Sequence, residues 1–195
     1  WIGRTEVTNA QYARCVAAGN CPASDNSRWN ESAFADYPVI VIVEYAEAYA
    51  QWLAELSGVA VRLPTEAEWE KTCRGHDLRP YPWGYSQASP GLLNFHDSEI
   101  GDTTVVGSYP IGASPYGALD MAGNVWEWVS DSYDESYYGR SPERDPIGPG
   151  SGGYRVLRGG SFHSYPNGIY CAHRSNNDPD IWDAASGFRI VSPGL

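Results

Sequence analysis

Four cysteines, Cys15, Cys21, Cys73 and Cys171, are the residues of this sequence best suited to covalent or metal chemistry. A thiolate can bind a soft metal or act as a nucleophile, and zinc sites usually take their thiolates in closely spaced pairs. No two of these cysteines form a C-x-x-C arrangement, so the spacing does not indicate zinc. An even number permits two disulfides, and buried free thiols are the alternative.

The hydroxyl, imidazole and carboxyl groups give weaker patterns. Ser161, His163 and Asp178 have the residue types of a hydrolytic triad, but such a trio occurs by chance in most chains of this length. The four histidines lack the spacing of metal ligands. We therefore assign no catalytic residue.

The segment 162–186 has the composition of a binding surface. It is rich in Tyr, Ser, Asn, His and Asp, and it contains no Lys, Glu, Gln, Leu or Val. Aromatic rings give rigid contact area, and small polar groups give adaptable hydrogen bonds. The side chains that we predict to bind a ligand are His163, Ser164, Tyr165, Asn167, Tyr170, His173, Ser175, Asn176, Asn177, Asp178, Ile181, Trp182 and Asp183.

The overall composition indicates a folded domain and excludes several partners. The chain has 195 residues, 42% of them hydrophobic, and its 21 Gly and 14 Pro favour a loop-rich fold. The net charge of −11 disfavours nucleic acid and anionic membranes, and no window is apolar enough to insert into a bilayer. The chain begins at Trp1 without a starting Met, which we interpret as a fragment. An extracellular location and a thermophile cytoplasm are both compatible with its cysteines.

Three helices and several short strands must position these residues. Capping boxes begin helices at 8–19 and 65–75, and each of these helices ends at a glycine. Apolar periodicity predicts a third helix at 44–56, followed by Gly58. Runs at 105–109 and 154–157 predict strands between ordered loops, which makes the fold class α+β. The apolar face of the helix at 44–56 consists of Tyr45, Tyr49, Trp52, Leu53 and Leu56.

Six short sequence blocks lie along nearly the whole chain. They are EVTN at 6–9, RLPTEAEWE at 62–70, PWG at 82–84, MAGNVWEW at 121–128, RGGS at 158–161 and GFR at 187–189. In this order they resemble the formylglycine-generating enzyme, or sulfatase-modifying factor, family. The resemblance implies one domain over 1–195 with a C-type-lectin-like fold of the formylglycine-generating-enzyme type, α+β and poor in regular secondary structure.

The family's oxidase converts a sulfatase cysteine to formylglycine with a pair of cysteines that bind copper(I), a soft ion suited to thiolates. In the family these thiols lie between the RGGS block and a later C-A-x-R block. Here that interval, 162–170, contains no cysteine, and Ser164 stands about where the first thiol would be. We therefore expect that the chain binds no copper and is not an enzyme. The disfavoured alternative is a formylglycine-generating oxidase.

The resemblance also implies structural bonds and ions. It pairs Cys73 with Cys171, and Cys15 and Cys21 flank the end of the first helix, where they could form a second bridge. It implies structural calcium, since hard cations prefer carboxylate and carbonyl oxygens. Acids that only cap turns are the alternative for both calcium sites. The implied ligands are Asp120, Gly123, Val125 and Glu127 at the first site, and Asn94, Phe95, Asp102 and Thr104 at the second.

The segment 162–186 further resembles the variable proteins of diversity-generating retroelements, many of which have this fold. Their asparagine codons mutate at adenines, which yields Ser, Asp, Tyr, His, Ile, Gly or Ala, largely the residue types found here. Trp182 departs from this pattern. We expect a noncatalytic domain that presents a variable surface to a protein ligand. The alternative is a regulatory or scaffold module of a larger bacterial signalling protein.

Overall fold

The computed structural model describes residues 1–193, which form three α-helices, one four-stranded sheet and several short 3₁₀ turns. The helices are α1 (Asn9–Ala17), α2 (Val43–Ser57) and α3 (Glu66–Arg74). The strands are β1 (Trp126–Ser132), β2 (Arg155–Arg158), β3 (Arg174–Asn177) and β4 (Ser186–Phe188).

Local sequence signals set the helix ends. Thr8 and Thr65 cap α1 and α3, and each accepts a hydrogen bond from the backbone of the third helical residue, whose side chain accepts one in return. Gly58 ends α2 with a φ of 71°, a left-handed conformation that glycine adopts without steric cost. All three predicted helices are therefore confirmed.

The buried face of α2 differs from the predicted one at its end. Tyr49 is buried and Trp52 packs against the core, as expected, but Leu56 is 68% exposed. The fully packed positions of α2 are Val43, Ala46, Tyr49 and Ala50. Leu56 lies in the last turn of α2 and is not part of the hydrophobic core.

The sheet has the strand order β3-β2-β1-β4. The β1–β2 and β2–β3 pairs are antiparallel, whereas β1 and β4 are parallel, with Trp128 opposite Phe188. The predicted strand at 154–157 corresponds to β2. The strand predicted at 105–109 is wrong, because this run forms turns: Gly107 has a φ of 77°, and its N–H donates to Asp120 rather than to a neighbouring strand.

Both faces of the sheet are covered. Trp128 and Phe188 pack against α1 and α2 on one face, and the next residue along β1, Val129, packs with Trp69 of α3 on the other. This alternation is the two-residue period of a strand that is buried on both sides. β3 lies at one edge of this sheet, next to central strands that are packed on both faces.

Two disulfides add covalent links. Cys15 bonds Cys21 at the end of α1, and Cys73 of α3 bonds Cys171 across 98 residues of sequence. Both predicted pairings are confirmed. The second disulfide fastens the middle of segment 162–186 to α3.

Candidate ligand-binding face

Segment 162–186 leaves the sheet after β2, includes the edge strand β3 and returns at β4. Every side chain predicted to bind a ligand is exposed or half-buried. Tyr165 is 59% exposed and Ile181 is 55% exposed. Three residues that lie between them, Phe162, Ile169 and Cys171, are buried. The segment thus alternates anchors with accessible side chains, and we call the accessible side chains of 163–183 the binding face.

Ion pairs hold the base of the binding face. Arg174 donates to both carboxylate oxygens of Glu66, at 2.6 and 2.8 Å. The fully buried Arg158 donates to Glu70 at 2.8 Å, to Glu66 and to the carbonyl of Cys171. Charge-assisted bonds of this kind are strong and directional. They fix the backbone on either side of the disulfide.

A glycine allows the segment to fold back on itself. Gly160 has a φ of 78°, and a Cβ at this position would lie 2.7 Å from the carbonyl oxygen of Gly168. The turn that follows is closed by Ser164, whose Oγ accepts from the N–H of Ser161 at 2.9 Å. Ser164 is only half-buried, and its side chain also stabilises this turn.

Not all predicted face residues are free for a ligand. Asp183 accepts hydrogen bonds from the side chains of Asn177 and Ser186, at 3.0 and 2.6 Å. Asn177 and Asp183 thus brace the loop that leads into β4. Among the described residues, the exposed side chains of the binding face without such hydrogen bonds include Tyr165, Asn167, Asn176, Ile181 and Trp182.

An aromatic stack joins the binding face to a second segment of the chain, through the buried Tyr81. Tyr81 lies parallel to Trp83 at 4.8 Å between ring centroids, and Tyr170 packs on Tyr81 at 4.9 Å. Burial and a hydrogen bond with Tyr170 raise the pKa of Tyr81 to about 12. The N–H of Cys171 donates to the carbonyl of Pro80, which holds the two segments together.

Histidines add two further aromatic contacts. The rings of His96 and Tyr165 stack with their centroids 4.0 Å apart, and the backbone N–H of His96 donates to the carbonyl of Ser164 at 3.0 Å. Burial, and to a lesser extent the charge of Arg158, lowers the pKa of His173 below its ordinary value.

Sequence reasoning missed Tyr81, Trp83 and His96. The signal that could have found the first two is the Cys73–Cys171 pairing, because it brings the residues soon after Cys73 close to Tyr170. Nothing in the sequence places His96 beside Tyr165. That contact depends on two loops that are far apart in the chain.

The residues implied for the first calcium site do not fit a calcium ion. Both carboxylate oxygens of Glu127 accept from Arg189 at 2.6 Å, and one of them also accepts from the Trp69 indole at 2.7 Å. Asp120 accepts from the N–H of Gly107. Glu127 is a buried partner of a guanidinium, so its assignment as a calcium ligand is corrected.

The second implied set does not fit either. The Arg28 guanidinium binds both oxygens of Asp102, at 2.6 and 2.9 Å, and this contact lowers the pKa of Asp102. The Oδ1 of Asn94 is buried without a hydrogen-bond partner, which an ion could supply, but the carboxylate needed beside it is occupied. Among residues 1–193, no group of three or more His, Cys, Asp and Glu side chains is placed to hold a metal ion.

The two disulfides bear on the binding of copper. All four cysteines are half-cystines in the described structure, and Ser164 has only a hydroxyl to offer. A thiolate pair for copper(I) is therefore not supplied by these residues. In the part of the chain that is described, no helix is both long and apolar enough to cross a membrane.

The sulfatase-modifying factor enzyme 1-like domain family (FGE-sulfatase) matches residues 1–193. The chain belongs to this family. The family prediction is thereby confirmed, and so is the α+β, C-type-lectin-like fold. Treponema denticola variable protein 1 has the same fold at a TM-score of 0.83 and 26% identity, over 97% of this chain and 82% of that protein.

Sequence relatives in the family include kinases and oxidases. A serine/threonine-protein kinase (pkn1) of Chlamydia caviae is 43% identical over 83% of this chain and 25% of the kinase. The formylglycine-generating enzyme of Streptomyces coelicolor is 42% identical over 80% of this chain and 53% of the enzyme. A hercynine oxygenase of Mycolicibacterium smegmatis is 39% identical over 97% of this chain and 52% of the oxygenase. The chain thus spans a quarter to about half of these relatives.

These relatives correct one prediction. We predicted from the missing thiol pair that the chain is not an enzyme. That prediction is contradicted, because relatives at 42% and 39% identity are named formylglycine-generating enzyme and hercynine oxygenase. The absence of one cysteine pair bears on copper binding only, and it does not separate this chain from a family that contains several enzymes.

Proposed function

We propose that the chain binds a protein ligand through the binding face, and that this face is diversified as in the variable proteins of retroelements. The observation that carries the proposal is the alternation within segment 162–186. Side chains of the variable residue types reach the solvent, whereas Phe162, Ile169, Cys171 and the two arginines that bracket them are buried or bonded. Such a segment tolerates substitutions at the accessible positions without loss of the fold.

The chemistry of the binding face supports a protein as the ligand. Tyr165, Tyr170, Ile181 and Trp182 offer exposed apolar and aromatic area, and Asn167 and Asn176 offer hydrogen bonds. Aromatic side chains of this kind are enriched at protein interfaces. The likeness to Treponema denticola variable protein 1 supports the variable character of the surface.

A binding selection tests the ligand proposal. Random peptides displayed on phage are panned against the chain and against the variant Y165S/Y170S/W182S, which removes three exposed rings of the binding face. We expect peptides that bind the chain and lose most of their affinity for the variant. The matched control L56S/I111S/Y116S removes three exposed side chains outside segment 162–186 and should keep the affinity.

Two results would contradict the ligand proposal. One is the absence of any enriched peptide. The other is enrichment that survives in Y165S/Y170S/W182S and is lost in the control variant. Circular dichroism of both variants shows that they are folded, so that a loss of binding is not a loss of structure.

Sequencing of the surrounding DNA tests the diversification. A reverse-transcriptase gene beside a near-copy of the segment that encodes 162–186, different at adenines, is the expected result. Its absence would leave the binding face without a source of variation. It would also favour a second candidate, a module of a larger signalling protein, which is supported by kinase relatives of which the chain spans only a quarter.

A further inference from the structure

The outer edge of β3 is open in this structure. β3 pairs only with β2, with Arg174 opposite Arg158 and Asn177 opposite Arg155. Among residues 1–193, the hydrogen bonds made by the backbone of β3 go to β2 and to no other element. In an antiparallel pair, alternate residues direct their N–H and C=O groups away from the partner strand. Half of the backbone groups of β3 therefore point outward.

This edge lacks several of the features that usually block strand addition. Proteins protect exposed edges with very short strands, lysine, proline, bulges or a covering element. β3 is short, at four residues, but it contains no lysine, proline or bulge. β3 reads Arg-Ser-Asn-Asn, and the charge of Arg174 is turned toward Glu66. Ser175, Asn176 and Asn177 are small, polar and partly or fully exposed. An extended chain can approach the edge without a steric or electrostatic obstacle from these side chains.

Exposed apolar groups lie beyond both ends of β3. At the Arg174 end, Tyr138 packs over the guanidinium at 4.4 Å and is 52% exposed. Beyond Asn177, the loop presents Ile181 and Trp182. Side chains of an added strand would meet these groups at its two ends, while the backbone would meet β3 between them.

Two acidic residues next to β3 indicate the charge expected at one end of an added strand. Asp178 and Asp180 follow β3 directly, and no ion pair within residues 1–193 includes either carboxylate. Within the part of the chain that the structure describes, the Asp178 carboxylate accepts one hydrogen bond, from the N–H of Asp180 at 3.0 Å. An added strand with Lys or Arg at this end would find complementary charge.

On the basis of the proposed function, we propose that the ligand is an extended segment of a partner protein. This segment adds to β3 as a fifth strand and carries a basic residue beside Asp178 and Asp180. Main-chain hydrogen bonds then supply affinity that does not depend on which side chains occupy Ser175 and Asn176. The flanking groups supply specificity. This is the known physics of strand addition to an exposed sheet edge.

A backbone scan of a selected peptide tests the binding mode. Each amide of the tightest peptide from the selection is N-methylated in turn, and each side chain is separately changed to alanine. We expect methylation at every second position to weaken binding by about tenfold, since each removes one main-chain hydrogen bond, with the intervening positions little affected. Hydrogen exchange should slow at residues 174–177 and stay unchanged at β4.

The charge is tested on the protein side. D178N/D180N should weaken the same peptide and reduce the salt dependence of its binding, whereas E44Q/E55Q removes the same charge from exposed positions of α2 and should change neither. Selected peptides without an alternating methylation pattern would overturn the strand addition and leave the proposed function standing. A failure to select any peptide would overturn both. An unaltered affinity in D178N/D180N would overturn the basic end.

Discussion

The buried frame of this domain and its binding face use polar side chains in opposite ways. In the frame, Arg189 and Glu127 are both inaccessible, and the guanidinium also donates to the carbonyl of Leu119. In the binding face, Asn167, Asn176 and Trp182 reach the solvent. Stability and the proposed recognition of a ligand therefore depend on different residues. Substitutions in the two regions should have separable effects, and four experiments test that separation.

The largest loss of stability should come from the frame. R189M leaves Glu127 buried without its charge partner, which should lower the free energy of unfolding by about 3–5 kcal/mol in urea titrations. The double variant R189M/E127M removes both charges and should recover much of that loss. A loss below about 1 kcal/mol in R189M would mean that the pair does not organise the core.

The next effect should come from the disulfide that joins frame and face. C73S/C171S should lower the free energy of unfolding by about 2–5 kcal/mol, because the link closes a long loop, and C15S/C21S should cost less because its loop is short. Thermal melting of the two variants gives the comparison. An equal loss in both would show that loop length is not the cause.

A smaller, pH-dependent effect is expected at Glu6. Burial, and then the carboxylates of Asp120 and Glu127, raise the pKa of Glu6 well above its ordinary value. The folded state therefore binds this proton more tightly than the unfolded chain does. Stability should be greatest below the ordinary pKa and should fall as the pH rises toward the raised value.

The variant E6Q tests this dependence, because it keeps an oxygen that can accept from Asn124 and carries no charge. Its unfolding midpoint in urea should fall less than that of the parent chain between about pH 5 and pH 8, where a titrating carboxyl costs up to about 1.4 kcal/mol per pH unit. Parallel curves for the two proteins would contradict the assignment. E44Q, at an exposed position, is the control.

The smallest effect on stability should come from the binding face. Y165S/I181S removes two exposed side chains and should change the free energy of unfolding by about 0.5 kcal/mol per site or less. The same variant should lose affinity for peptides selected on the parent chain. A loss of several kcal/mol in thermal melting would show that these side chains belong to the frame.

The helices could be predicted because their signals are local. A threonine with a glutamine or glutamate three residues later determines a capping box whatever lies around it. The strand expected at 105–109 was wrong because β propensity does not show whether a partner strand is available. The predicted calcium ligands illustrate a related point: a carboxylate offers oxygens to an arginine as readily as to an ion, and Arg28 and Arg189 come from distant parts of the chain.

The family, the fold class, the three helices, the disulfide partners and the segment rich in aromatic and small polar residues could all be predicted without a structure. These follow from capping, periodicity, composition and matching blocks, all of which are properties of neighbouring residues or of their order. The tertiary structure was needed to show that Glu127 and Asp102 are paired with arginines, that Tyr81 and His96 pack against the binding face, and that β3 is an open edge. Each of these depends on contacts between residues far apart in the chain, and no local pattern specifies which distant group arrives.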